Sequence, residues 1–197
     1  ISPDGRTVVY TTWDDEDLSA IYSVPLSGGS AEKLTERPGY YHTPRFSPDG
    51  SKIVSRRGEG NVLLGTQHAS DPGLYWMSAN GGEMNFIRED GYDARFDASG
   101  ERVYFLTGSN VGKSYKSSDL DGGKVHNVFS LKYVDSIVPS PDGEWVAFTD
   151  LHNAYVAPMP KTGQAIELSK DVSSIPVKQI SRDVGIDLHW SGDSETV

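Results

Sequence analysis

The sequence has 197 residues, 36% of them hydrophobic and 23% charged, which is typical of a folded domain and excludes a disordered tail or a coiled coil. Its 18 Lys and Arg residues against 28 Asp and Glu residues give a net charge of -10, which argues against a nucleic-acid partner. The sequence contains no cysteine, which excludes disulfide bonds, a thiol nucleophile and thiolate-bound zinc. No apolar run approaches the roughly 18 residues of a membrane span.

A four-residue turn motif recurs along the whole chain. Three copies read SPDG and begin at Ser2, Ser47 and Ser140, and weaker copies begin at Asp97 and Ser191. Successive copies are separated by 45, 50, 43 and 51 residues. Proline presets φ at the second position of the motif, and glycine accepts the left-handed conformation that closes a hairpin. Apolar residues precede most copies, which chance matches would not provide: the preceding residues are Ile1, Phe46, Phe96, Pro139 and Trp190.

Each repeat contains four short segments with the composition of β-strands. One precedes the turn motif, one follows it directly, one ends in a glycine-rich turn, and a short one comes last. The segments that follow the motif are rich in β-branched and aromatic residues, as strands prefer. The predicted strands include 7–10, 52–54, 102–106 and 145–148 after the motif, 21–26 and 74–79 before a Gly-Gly turn, and 31–35, 84–88, 125–129 and 165–169 as the last strands.

The repeat predicts an all-β fold with almost no helix. The strands that follow the turn motif are apolar on both faces, so we expect sheets to cover both of their sides. Repeats of 40 to 50 residues with four strands each are typical of a β-propeller, whose blades are four-stranded antiparallel sheets. The chain contains about four blades' worth of sequence. A β-sandwich is the alternative, but it gives no reason for one turn to return every ~45 residues.

Residues 1–197 are predicted to form a single propeller region. The first blade lacks its inner strand, because the first turn motif begins at Ser2, and residues 188–197 supply the inner strand of a last blade. That strand either joins the first three strands to close a four-bladed ring, or the chain is a segment of a larger ring. A segment would expose unpaired strand edges, so self-assembly through these edges is expected in that case.

The motif also resembles a known family of repeats. Residues 43–50, which read TPRFSPDG, and residues 21–29, which read IYSVPLSGG, resemble TolB-type repeats, which occur in the periplasmic protein of the Tol system and in tricorn-like and peptidase-associated propellers. Residues 21–34 and 41–52 are also similar to the propeller of bacterial amidohydrolase-related proteins. The resemblance implies a periplasmic or secreted protein, a larger ring, and a docking or gating role beside a separate catalytic domain.

The order of the strands places the turn motifs on one rim of the propeller and the long connections on the other. Loops on a rigid scaffold commonly carry binding function, and the 17-residue connection 56–72 is the longest here. Residues 40–42 place two tyrosines and a histidine on this rim, where they are predicted to contact a ligand or partner; the alternative is that one tyrosine packs between blades. The candidate binding residues on the long-loop rim are Trp13, Tyr40, Tyr41, His42, Arg56, Arg57 and His68.

Local sequence motifs predict no catalytic residue, cofactor or metal site. Residues 108–114 end in GKS, but they are one residue short of a phosphate-binding loop and precede no helical pattern. The acidic run 14–17 lacks the spacing of a calcium loop, and the five histidines lack metal-ligand spacing. The leading hypothesis is a non-catalytic interaction or gating module that binds a protein partner or a covalently linked catalytic domain. The alternative is a hydrolase whose site uses carboxylates and histidines of the long-loop rim.

Overall fold

A computed structural model describes residues 1–60, 70–109, 112–161 and 163–197. Within these ranges the chain forms strands and no helix, and so contains no helix that is long and apolar enough to cross a membrane. In chain order the strands are β1 (Thr7–Asp14), β2 (Leu18–Pro25), β3 (Glu32–Lys33), β4 (Tyr41–Phe46), β5 (Lys52–Arg57), β6 (Gly73–Ser78), β7 (Asn85–Arg88), β8 (Tyr92–Phe96), β9 (Arg102–Thr107), β10 (Lys113–Asp119), β11 (His126–Leu131), β12 (Val134–Pro139), β13 (Trp145–Asp150), β14 (Asn153–Pro158), β15 (Ile166–Leu168) and β16 (Lys178–Gln179).

The described strands form four sheets. Their orders are β1-β2-β3, β4-β5-β6-β7, β8-β9-β10-β11-β15 and β12-β13-β14-β16. All pairings in the first, second and fourth sheets are antiparallel. The paired strands are consecutive in the sequence, except that β14 pairs with β16. The first sheet has three strands. Each turn motif connects the first two strands of a sheet, except that Ser2 precedes β1 and Ser191 follows the last strand.

The last strand of the fourth repeat differs from the prediction. Residues 165–169 are predicted as the outer strand of the fourth sheet, but β15 pairs in parallel with β11 of the third sheet, with Leu168 opposite Leu131. Both leucines are buried, and this apolar burial stabilises the pairing. The edge of β14 is taken instead by β16, where Val156 lies opposite Lys178.

The predicted inner strand of residues 188–197 is also absent from the described strands. Leu188 packs against Val138, Ala147 and Ala154 of the fourth sheet. The indole Nε1 of Trp190 donates a hydrogen bond to the carbonyl oxygen of Val138 at 2.9 Å. These residues are held by side-chain packing, whereas a strand is defined by backbone pairing with a neighbour. The turn that follows does form, since the Ser194 amide donates to the Ser191 carbonyl oxygen at 3.0 Å.

The chain divides into two compact units. Unit 1 contains residues 1–105 and 118–124, and unit 2 contains residues 106–117 and 125–197. In unit 1 the neighbouring residues Ile53 and Val54 of β5 are both fully buried, yet they belong to different hydrophobic clusters. Successive side chains of a strand point to opposite faces, so the second sheet is covered on both faces, as its composition predicts.

The turn motifs are closed by a hydrogen bond between their serine and aspartate. The Ser47 hydroxyl donates to Asp49 Oδ1 at 2.6 Å, and Asp49 also accepts from the backbone amide and hydroxyl of Ser51. Gly50 has φ of 73° and its amide donates to the Ser47 carbonyl oxygen at 2.9 Å. The copy at Ser2 has the same geometry. Asp49 therefore has a structural role in the turn.

The turn at Asp49 should make stability sensitive to acid. Hydrogen bonds from the Ser47 hydroxyl and from Ser51 hold the pKa of Asp49 well below its usual 3.8. Because the folded pKa is lower than the unfolded one, the stabilisation is present above 3.8 and is lost as the pH falls through the folded pKa. Urea unfolding should thus show that Asp49→Asn loses less stability than the wild type between about pH 5 and about pH 2.5. Asp17→Asn, at an exposed position, is the control and should follow the wild-type curve.

Two glycine-rich turns of unit 1, at Gly81 and at Gly122, lie against residues of the preceding repeat. The Gly82 amide donates to the Leu34 carbonyl oxygen at 3.2 Å, and a Cβ on Gly81 would lie 3.0 Å from that same oxygen. In the next repeat a Cβ on Gly122 would overlap the carbonyl oxygen of Ile87. These glycines allow the backbones of successive repeats to approach closely, which a side chain would prevent.

Candidate functional site

Six of the seven predicted binding residues come together at one end of unit 1. Trp13 lies near the end of β1, Tyr41 and His42 begin β4, and Arg56 and Arg57 end β5. The strand register places Tyr41 opposite Arg57 and His42 opposite Arg56. We call the six residues the aromatic cluster: Trp13, Tyr40, Tyr41, His42, Arg56 and Arg57. The seventh, His68, lies outside the described residues.

Tyr41 and Arg57 form the buried base of the cluster. Tyr41 is 3% exposed and Arg57 is 6% exposed, so neither side chain is available as a broad contact surface. The Tyr41 hydroxyl donates to the Arg37 carbonyl oxygen at 3.0 Å, and Arg57 Nη2 donates to Ser70 Oγ at 3.1 Å. Their role in this structure is to hold the neighbouring loops in place.

Tyr75 of β6 belongs to the same base, although the sequence pattern does not single it out. Its hydroxyl donates to the Asp71 carbonyl oxygen at 2.6 Å. Burial raises the pKa of both Tyr41 and Tyr75, while the Arg57 charge acts in the opposite direction. Both phenols therefore stay protonated at neutral pH and serve as hydrogen-bond donors.

Trp13 presents the exposed surface of the cluster. Its side chain packs on Tyr40, with ring centroids 5.5 Å apart and planes inclined by 31°. Trp13 is 47% exposed while Tyr40 is buried. The indole Nε1 donates to Asp15 Oδ1 at 3.0 Å, and the Tyr40 carbonyl oxygen accepts from the Gly58 amide at 2.7 Å. The arrangement is an exposed indole supported by a buried phenol ring.

His42 and Arg56 border this aromatic pair. Burial, with a smaller contribution from the Arg56 charge, lowers the pKa of His42 below its usual value, so the imidazole is neutral at pH 7. Arg56 Nη1 donates to the Gly91 carbonyl oxygen, and Nη2 lies 3.3 Å from Glu59 Oε1. Within residues 1–60, 70–109, 112–161 and 163–197, no group of three or more His, Asp or Glu side chains is placed to hold a metal ion.

A charged group on β4 and β8 was not among the predicted site residues. Arg45 Nη2 lies 2.7 Å from Asp93 Oδ1, and Arg95 Nη2 lies 3.9 Å from Asp93 Oδ2. The sequence does carry a signal for this group, because Arg45 and Arg95 each lie two residues before a turn motif. Four residues before the same motifs, Thr43 and Asp93 have φ of 47° and 51°. We call Arg45, Asp93 and Arg95 the charged triad.

Comparisons with known proteins bear on the fold. No family model matches the sequence. The uncharacterized peptidase YuxL of Bacillus subtilis is 27% identical over 150 residues, which are 75% of this chain and 20% of that protein. The Tol-Pal system protein TolB of Francisella tularensis is 22% identical over 190 residues, covering 75% of this chain and 43% of that protein. The crystal structure of TolB from Acinetobacter baumannii matches with a TM-score of 0.65 at 18% identity, over 93% of this chain and 43% of that chain.

These similarities, together with the repeated sheets, define the class of the protein as a β-propeller. More particularly, its fold is that of the TolB-like propellers, as the SPDG repeats predict. The chain spans less than half the length of each of the three proteins named above. The resemblance to amidohydrolase-associated propellers stays a prediction.

Proposed function

We propose that this TolB-like propeller segment is a non-catalytic module that binds or gates another protein through the aromatic cluster. The observation that carries the proposal is the exposed Trp13 indole on a buried Tyr40 ring. Tryptophan is enriched among the residues that dominate binding energies at protein interfaces. A rigid base favours this role, because little conformational entropy is lost when the surface binds.

The partner in this proposal is a separate protein or a covalently linked catalytic domain. The similarity to TolB supports a periplasmic or secreted location, and we propose that location for this module. Self-assembly through open sheet edges remains a further prediction for the isolated chain. Nucleic acid is not a proposed partner, since the net charge is -10.

A matched pair of tryptophan variants tests the proposal. Trp13 and Trp145 are 47% and 43% exposed and lie in different units. The immobilised wild-type chain and both variants would be exposed to an extract of the source bacterium, and retained proteins identified by mass spectrometry. We expect at least one protein to be retained by the wild-type chain and by Trp145→Ala to the same extent. Trp13→Ala should retain roughly tenfold less of that protein, or even less than that. Equal retention by all three folded proteins would remove the aromatic cluster as the interaction surface.

A second candidate is the propeller part of a peptidase-type hydrolase, which the similarity to YuxL favours. In this candidate, carboxylates and histidines of the long-loop rim act on substrate. Asp14 is a poor acid for that purpose, because backbone amides of Asp17 and Glu16 bind its carboxylate and lower its pKa. Turnover of peptide substrates by the purified chain, abolished by Asp14→Asn, would support the hydrolase over the module.

A further inference from the structure

Arg95 of β8 is a partly buried cation whose Nε has no hydrogen-bond partner among the described residues. Its side chain is 23% exposed, and its Nε is buried. The acceptor that faces it is Asp93 Oδ2, at 3.9 Å from Nη2, which is too long for a hydrogen bond. A guanidinium has five N–H donors, and a buried charge is costly unless it is paired and hydrogen-bonded.

The charged triad also leaves a net positive charge. Asp93 directs its closer contact to Arg45, at 2.7 Å, so one carboxylate is shared by two guanidinium groups. This local excess of positive charge occurs in a chain whose net charge is -10. An anion that approaches Arg95 would therefore meet two guanidinium groups and one carboxylate, whose summed charge attracts it.

The backbone around the triad has an unusual conformation at two equivalent positions. Thr43 and Asp93 both have a left-handed φ, which few residues other than glycine adopt. In β4 the register with β5 is broken between His42 and Arg45. Irregularities of this kind redirect side chains and are common beside functional sites.

We infer that Arg95, with Arg45 beside it, is the binding site for a carboxylate that a protein partner presents. The planar guanidinium matches a carboxylate in a two-point hydrogen-bonded pair. The bound carboxylate would accept the hydrogen bonds that Asp93 is too distant to accept. The side chain of an acidic residue and a free chain terminus supply the same chemistry.

The identity of the partner as a protein rests on the proposed interaction function, but the site itself is tested independently of Trp13. Backbone amide resonances of residues 92–96 would be followed by NMR during titration with three peptides. Acetyl-Gly-Asp-Gly-amide carries a side-chain carboxylate, acetyl-Gly-Gly-Gly carries a terminal one, and acetyl-Gly-Asn-Gly-amide carries neither. Inorganic phosphate is the fourth probe.

The expected result is a saturable shift with one or both carboxylate peptides and none with the asparagine peptide. Arg95→Gln should weaken the apparent affinity at least tenfold, and Arg95→Lys should weaken it less because the charge is kept. Arg6→Gln is the matched control, since it removes an exposed arginine far along the sequence and should leave the affinity unchanged. Asp93→Asn should tighten binding, because it removes the carboxylate that competes for both arginines.

The inference is overturned if no carboxylate peptide shifts these resonances at millimolar concentration, or if phosphate alone does so. An Asp93→Asn protein that binds no more tightly than the wild type would also contradict it, and this variant keeps the test decisive if Arg95→Gln does not fold. The two proposals fail separately. If Trp13→Ala no longer captures the partner but no carboxylate peptide binds, the interaction surface is supported and the carboxylate site is rejected. If the peptides bind but Trp13→Ala captures proteins as the wild type does, the carboxylate site is supported and the interaction surface is rejected.

Discussion

Gly122→Ala should lower the free energy of unfolding by about 3 kcal/mol or more. Gly122 has φ of 80°, a conformation that costs an L-residue about 1–2 kcal/mol. In addition, the new Cβ would overlap the carbonyl oxygen of Ile87, so backbone must move in the turn or in β7. The measurement is a urea-unfolding curve monitored by circular dichroism, from which the midpoint and the dependence of the unfolding free energy on urea concentration are taken.

Gly28→Ala is a matched control for this effect. Gly28 occupies the corresponding first position of the Gly-Gly turn in the first repeat and has φ of 90°. A Cβ there would meet no described atom within 4 Å, so only the conformational cost of about 1–2 kcal/mol is expected. If both variants lose the same stability, the close approach of Gly122 to Ile87 has no energetic consequence, and the glycine is needed only for its φ.

Phe105→Ala should be comparably destabilising, by about 3–5 kcal/mol. Phe105 is fully buried in the cluster that contains Val54 and Leu74. The Arg88 guanidinium also lies over the Phe105 ring, 4.6 Å from the ring centroid. Truncation therefore removes apolar burial, leaves a cavity and exposes a cation that now lies over the ring. Chemical denaturation of the purified chain measures the loss.

Phe86→Ala provides the comparison for Phe105→Ala. Phe86 is 53% exposed and contacts Tyr75 edge to face at 5.4 Å between ring centroids. The expected loss is about 1 kcal/mol, mainly from this ring contact. A Phe105→Ala variant no less stable than Phe86→Ala would show that the cluster around β5 and β9 contributes little to folding.

The aromatic cluster and the charged triad share one strand. His42 and Arg45 both lie on β4, on either side of its register break. The geometry of β4 therefore affects both proposed contact regions of unit 1. The outcomes of the Trp13→Ala and Arg95→Gln experiments are nevertheless separable, because the two residues belong to β1 and β8.

Much of the architecture was predictable because its signals are local. The Ser-Pro-Asp-Gly turn is closed by bonds within a few residues, such as Ser47 to Asp49 at 2.6 Å. The adjacent buried residues Ile53 and Val54 show why a strand that is apolar on both faces indicates sheets on both sides. The pairing of β15 with β11 could not be predicted in this way, because it depends on which distant edge is free and which apolar side chains can be buried there.

The candidate site was likewise predictable only in part from the sequence. Chain order alone was enough to group Trp13, Tyr40 and Arg56 at the ends of strands, since the repeat determines on which side each loop emerges. Only the tertiary structure decides that Trp13 is exposed while Tyr41 and Arg57 are buried. It also brings Arg45 to Asp93, 48 residues apart in the sequence. The turn chemistry and the repeat are properties of neighbouring residues, whereas burial and charge pairing depend on side chains that only folding brings together.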